Sequence, residues 1–401
     1  MSQPLLDAPV AVPLVVTAPA RRPSRLHRLV QGLAVLLITI AMTLILLEIA
    51  LRLFAPQLQV AVNPALFMSD AETKVRNAPG VTIQHDTPEF HVTYQINAQG
   101  LRADGPTGAP APNRLRLLAV GDSFTFGWGV EGNQAFPQRL DGVRAADGRT
   151  VESLNAGVAT YGTDHEAAWL HKYGWGFQPN VVLLGFYTGN DVQDVMRYIG
   201  QARPATAATR QAAAAVAAAR ARLHDENQSD AESWLEANSN AYVFLQQQAN
   251  RFLPGPRRAP DMLDTTYPYL NPPPAELTTA WERTTALLDQ MQNQAQRYHV
   301  RLVVVAIPAA EQIEDGRWTG LRATFGLAPD AVNRDAPQQQ LAAWSVRSGV
   351  PVIDLLPGFR AAGGSRLYYR ADPHWTPAGH ALAADLIRAE LARLGVLAAA
   401  P

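Results

Sequence analysis

The chain has 401 residues, 47% of them hydrophobic and 17% charged, enough to bury an α/β core with length to spare. A formal net charge of −1 gives no electrostatic reason to expect nucleic acid as a partner. The absence of cysteine excludes disulfides, thiolate metal sites and a cysteine nucleophile.

Residues 1–28 open as a Pro-, Ala- and Val-rich stretch without period, read as a disordered cytoplasmic tail, and close on the basic run Arg21 to Arg28. From Leu29 to Leu47 the chain is uncharged and mainly apolar, so 29–53 is predicted to be one transmembrane helix. The arginines before it place the N-terminus in the cytoplasm and all that follows in the periplasm, as a single-pass protein of a bacterial inner membrane. A cleaved signal peptide is the rival reading; the run is long for one and no small-residue cleavage site follows it. Glu48 and Arg52, four apart, are placed to pair on one helix face.

Residues 54–113 are predicted to form a juxtamembrane segment with short strands of its own. Phe90 to Ile96 alternates with period two before the turn-prone Asn97-Ala98-Gln99-Gly100, and the Pro- and Gly-rich Gly105 to Asn113 is the linker into the core.

Over 114–396 apolar runs alternate with helical patterns, which predicts a three-layer α/β/α doubly wound, flavodoxin-like parallel sheet. Strands are expected near 115–120, 151–155, 180–186, 301–307 and 350–354, and helices near 132–146, 163–174, 277–299, 336–348 and 377–394. The last helix carries a stripe of Leu382, Leu386, Leu391 and Leu394. An insertion at about 203–275 reads as two Ala- and Gln-rich helices, 204–225 and 230–252, then a Pro-rich piece. It is either a lid or docking arm over the site or a plain solvated hairpin. Tyr267 and Tyr269 in it either line a sugar groove or pack on the core.

The first strand runs into Gly121-Asp122-Ser123, which puts Ser123 at a C-terminal strand end, where such sheets form ligand sites. A serine there becomes a nucleophile if a base takes its proton and donors receive the anion. Asp372-Pro373-His374 supplies a base: Pro373 favours an extended Asp372, and residues two apart on an extended chain face the same side, so Asp372 can orient His374. Thr376 and Pro377 are an N-cap and a first helical residue, so His374 sits just before a helix. Gly157 and Asn190 close the second and third strands, and Ser123, Gly157 and Asn190 can converge as an oxyanion hole. Each has a plainer role open to it: Ser123 or Asp372 as a cap, Gly157 as a turn glycine, Asn190 in an Asx turn. His380 is read as structural, and Asp122 and Asp191 as loop supports. His85, His91, His165 and His171 lack metal-ligand spacing, so neither metal nor cofactor is expected.

Taken in order, Gly121-Asp122-Ser123, Gly157, Gly189-Asn190-Asp191 and Asp372 with His374 resemble the blocks of the SGNH hydrolases, the GDSL esterase/lipase superfamily, over about 114–395. The resemblance implies Ser123 as nucleophile, His374 as base oriented by Asp372, and Ser123, Gly157 and Asn190 as oxyanion donors. This chain has one residue between aspartate and histidine where the commonest pattern has two, and Phe124-Thr125 where leucine usually follows the serine. Asn97, Gly100, Leu101 and Arg102 are similar to the pre-core segment of membrane-anchored members. The implied activity is acyl- or acetyl-ester hydrolysis through an acyl-serine, on an extracytoplasmic glycan or lipid-linked substrate. Two alternatives stay open. One is an O-acetyltransferase that modifies a cell-surface polysaccharide with a membrane-bound O-acyltransferase partner. The other is a non-catalytic glycan-binding module, against which the presence of serine, histidine, aspartate and asparagine together argues.

Overall fold

The computed structural model describes residues 25–54, 64–195, 266–370 and 372–399, with isolated positions between 235 and 245. The two helices expected at 204–225 and 230–252 otherwise lie outside the described residues. Two compact units divide the chain, 1–56 and 57–401.

In the first unit, helix α1 (Arg25–Phe54) is apolar and long enough to cross a membrane from Arg28 onward. Arg52 Nε meets Glu48 Oε1 at 2.5 Å near its end.

The second unit begins with two antiparallel hairpins, β1 (Phe67–Asp70) with β2 (Lys74–Asn77), and β3 (Thr82–Asp86) with β4 (His91–Gln95). The β4 alternation read from the sequence is real: Val92 and Tyr94 are buried and His91 and Gln95 exposed. These hairpins belong to the same compact unit as the sheet that follows.

That sheet has five parallel strands, β5 (Arg114–Gly121), β6 (Thr150–Asn155), β7 (Val181–Tyr187), β8 (Arg301–Ile307) and β9 (Val352–Asp354), in spatial order β6-β5-β7-β8-β9. The central strands β5, β7 and β8 are mainly Val/Leu/Ile runs because helices cover both faces, while the edge strand β6 mixes polar and apolar residues. On one face Leu118, Val120, Leu184 and Val304 meet α3 (Thr163–Lys172), α4 (Ala275–Arg297) and α5 (Ala336–Ser348). On the other, Leu117, Leu183, Val303 and Val305 meet α6 (Leu356–Ala362) and α7 (Pro377–Arg393). The architecture is the three-layer doubly wound one expected. The strand order reverses between β5 and β7, and a sheet of this kind opens its ligand crevice at that switch point.

One expected element is absent. Instead of a helix over 132–146 the chain makes two short 3₁₀ turns, Gly132–Gln134 and Gln138–Leu140. Pro137 removes a backbone donor in mid-segment, Gly132 and Gly142 flank it, and Gly142 takes a φ of 73°. Ala135, Phe136 and Leu140 are buried all the same, held by turns rather than by a helix face. In the Pro-rich piece, Tyr267 and Tyr269 are buried rather than lining a groove, Tyr269 edge-on to Trp318 at 5.4 Å.

Candidate active site

Chain reversal after β5 is forced by local chemistry. Asp122 caps the single turn α2 (Ser123–Phe126), its Oδ1 accepting from Phe124 N at 2.9 Å. Gly127 ends the turn in the left-handed region, φ 86°. Thr125 Oγ1 fills the space beside the glycines at the end of β5 and in β7: a Cβ on Gly121 or Gly185 would stand 2.1 or 2.2 Å from it. Ser123 is thereby held at the mouth of the switch point, with 8% of its surface exposed.

His374 arrives from the loop before α7. Thr376 caps that helix, Oγ1 accepting from Gly379 N at 3.3 Å, with Pro377 at its first position as the sequence predicted. His374 Nε2 lies 2.7 Å from Ser123 Oγ, and Nδ1 lies 2.5 Å from Asp372 Oδ1. With the Nδ1 proton on the carboxylate side, Nε2 accepts from the hydroxyl. Asp372 Oδ1 also accepts from His374 N at 2.9 Å, so one intervening residue suffices to bring carboxylate and ring together. Burial pushes the Asp372 carboxyl up, but its bonds to His374 and to the Trp128 side chain hold it below the ordinary aspartate value. Phe124, which stands where leucine is usual, packs its ring 5.0 Å from that of His374 and 4.3 Å from that of Tyr187.

Asn190 follows β7, which pairs with β5 in register Gly121 to Gly185, so it reaches the same sheet edge as Ser123. Asp191 supports that loop, Oδ2 accepting from Tyr187 N at 2.9 Å. The expectation for Gly157 is corrected. Its N–H donates to Asn155 Oδ1 at 3.0 Å and its carbonyl accepts from Asn77 Nδ2 at 2.9 Å, so the amide is already engaged. Gly157 is needed for packing: a Cβ there would stand 2.1 Å from Phe126 N.

Buried carboxyls lie behind the nucleophile. Burial pushes Asp122 up to about 7, and pushes Glu166 and Asp191 well above their ordinary values. His380 is fully buried, accepts from Phe136 N at 3.3 Å through Nδ1, and burial holds it well below the usual histidine value, as fits a structural residue. Among the described residues no group of three His, Cys, Asp or Glu is placed to hold a metal ion. Sequence reasoning missed Glu89 and Trp128, which contact the Asp372 loop from distant segments, and saw in Arg102 only a resemblance.

A family model described as the SGNH hydrolase-like domain of the acetyltransferase AlgX matches residues 271–401, which include Asp372 and His374. Among solved structures, a lipolytic protein of the G-D-S-L family from Desulfitobacterium hafniense is similar at 12% identity and TM-score 0.35, covering 68% of this chain and 97% of its own. A lipase/acylhydrolase from Enterococcus faecalis matches at 13% identity and TM-score 0.36, covering 69% and 94%. An acetyl-xylooligosaccharide esterase from Geobacillus matches at 14% identity and TM-score 0.38, covering 73% and 99%. Identities and scores this low carry no argument about the present chain. No curated protein matches it. The family match covers the C-terminal block, residues 271–401, as an SGNH hydrolase-like domain, and His374 within that block meets Ser123 from the end of the first core strand.

Proposed function

We propose that the protein is a serine-dependent esterase acting on an acyl or acetyl ester of an extracytoplasmic glycan or lipid-linked substrate. The observation that carries this reading is the continuous chain Ser123 Oγ, His374, Asp372, at 2.7 and 2.5 Å. His374 Nε2 takes the Ser123 proton as Oγ bonds to the ester carbonyl carbon. The oxyanion falls to the Ser123 N–H and the Asn190 side-chain amide. The C–O bond to the leaving alcohol breaks as His374 returns the proton to it, leaving an acyl-serine. Water, deprotonated by His374, then releases the acid and restores Ser123. Helix α1 anchors the chain in an inner membrane, N-terminus cytoplasmic, with residues 57–401 in the periplasm.

A second reading has one observation in its favour, the acetyltransferase in the matched family's description. A sugar hydroxyl replaces water in the second half-reaction, and acetyl reaches Ser123 from a membrane-bound O-acyltransferase partner. The test is 4-nitrophenyl acetate turnover by full-length protein in detergent, beside Ser123→Ala and His374→Ala, with and without a sugar acceptor. Loss of about a thousandfold or more in both variants is expected. Acetyl recovered on the sugar selects the transferase, and turnover that survives Ser123→Ala rejects both readings.

A further inference from the structure

The tip of the β3–β4 hairpin is built to present one carboxylate. Thr87 Oγ1 accepts from Glu89 N at 3.2 Å and Phe90 N at 3.1 Å, and Thr87 N donates to Phe90 O at 2.8 Å. This tight turn aims Glu89 at a loop more than 280 residues further along the chain. Glu89 Oε1 accepts from Arg370 N and Oε2 from Asp372 N, each at 2.8 Å. The 368–376 segment is pinned at its base by Tyr369 N to His374 O at 3.0 Å. Phe90 rests on the Tyr369 ring with centroids 5.2 Å apart. Glu89 therefore grips the far end of the loop whose other members are Asp372 and His374.

We propose that Glu89 is a positioning residue for acyl transfer, fixing the Asp372 backbone so that its carboxylate stays aimed at His374; the inference rests on the serine mechanism proposed above. Two N–H groups on two oxygens of one carboxylate define both position and orientation of the loop, and charged acceptors make the stronger bonds. Glutamine puts an NH2 donor where one of the two accepting oxygens stands, so it cannot keep both bonds in place. Asp372 N–H faces Glu89 while its carboxylate faces His374 and Trp128, so loss of the clamp moves the ring through Asp372 rather than through contact with substrate. Glu89, at the tip of a hairpin assigned by sequence to a juxtamembrane segment, is in this view a residue that serves the catalytic site, while the rest of the hairpin only carries it.

The experiment compares full-length wild type, Glu89→Gln, Glu89→Ala and Val92→Ala, a buried residue of the same hairpin with no part in the clamp. Glu89→Gln is expected to lower kcat about tenfold to a hundredfold with KM within about twofold, since a misplacement of an ångström costs that much. Formate added to Glu89→Ala restores part of kcat by supplying the missing carboxylate. Val92→Ala lowers Tm and keeps kcat. The downfield proton resonance of His374 Nδ1 reads the Asp372 contact without turnover, and it shifts in Glu89→Gln. An unchanged kcat with an unmoved resonance overturns the proposal, as does an equal loss in Val92→Ala without formate rescue. If wild type shows no Ser123-dependent turnover the esterase reading falls, and the resonance alone then decides for or against Glu89.

Discussion

Replacing Arg102 by methionine should cost the 57–401 unit roughly 3–8 kcal/mol. The guanidinium is 1% exposed, and its partners are carbonyls: one terminal nitrogen donates to Phe126 O and Gly127 O at 2.6 and 2.5 Å, the other to Val130 O at 2.5 Å. It lies over the rings of Tyr94 and Phe126, 4.8 and 4.6 Å from their centroids. Burial lowers its pKa from 12.5 to about 10, which sets the cost of keeping it charged at about 3 kcal/mol. Against that stand three bonds from a charged donor at about 1.5–3 kcal/mol each and two ring contacts of about 0.5–1 kcal/mol. The favourable side wins by the amount stated. Methionine spans a similar length, so the cavity contribution stays small and the loss reports the three abandoned carbonyls.

Those carbonyls belong to the turn that follows Ser123, so kcat should fall with stability. All eight tryptophans lie between Trp128 and Trp375, so tryptophan fluorescence during urea unfolding of full-length protein reads the second unit alone. A loss below about 1 kcal/mol would show that the desolvation cost had been understated and that the clamp is energetically idle.

Glu166→Gln should stabilise the protein at pH 8 and change it little at pH 5, as read by thermal unfolding. The folded-state value of this buried carboxyl is raised, so the native state holds a proton that the unfolded state gives up near 4.5, and stability drains away as pH climbs from there towards the folded value. An equal Tm shift at both pH values would mean Glu166 is ionised in the fold. Gly157→Ala should lower Tm by many degrees, because the new methyl meets the backbone of Phe126, which cannot retreat like the end of a side chain. A variant of unchanged Tm and reduced kcat alone would return Gly157 to the oxyanion hole.

The centre of the sheet was legible because β7 and β8 are nearly unbroken apolar runs, and burial on both faces leaves no other pattern. The Asp372 and His374 pair was legible for a similar reason: Pro373 constrains the backbone locally, so spacing implies geometry. The last helix was read one step off. Its stripe of Leu382, Leu386 and Leu394 is only partly buried, while Ala383, Ala384, Ile387 and His380 face the core beside Leu391. Alanines carry little hydropathy signal yet set the closest approach of helix to sheet.

What stayed hidden depends on contacts between distant segments. Glu89 and Asp372 are 283 positions apart, and no local propensity records that a hairpin tip will meet an acid–base loop. Asn97, Gly100, Leu101 and Arg102 looked like a motif without a mechanism, and the fold supplies one. Asn97 Oδ1 accepts from Gln99 N and Leu101 N, each at 3.0 Å, and shapes the turn, Gly100 takes a φ of 84°, Leu101 is buried, and Arg102 is delivered beneath the nucleophile turn. The segment before the first core strand therefore contributes two grips on the site, Arg102 under the Ser123 turn and Glu89 on the Asp372 loop. A chain cut at Asn113 keeps all three residues of the Ser123–His374–Asp372 chain and loses both grips, so it should bind small esters while turning them over poorly. Equal kcat in a folded 114–401 fragment and the full chain would refute this division of labour.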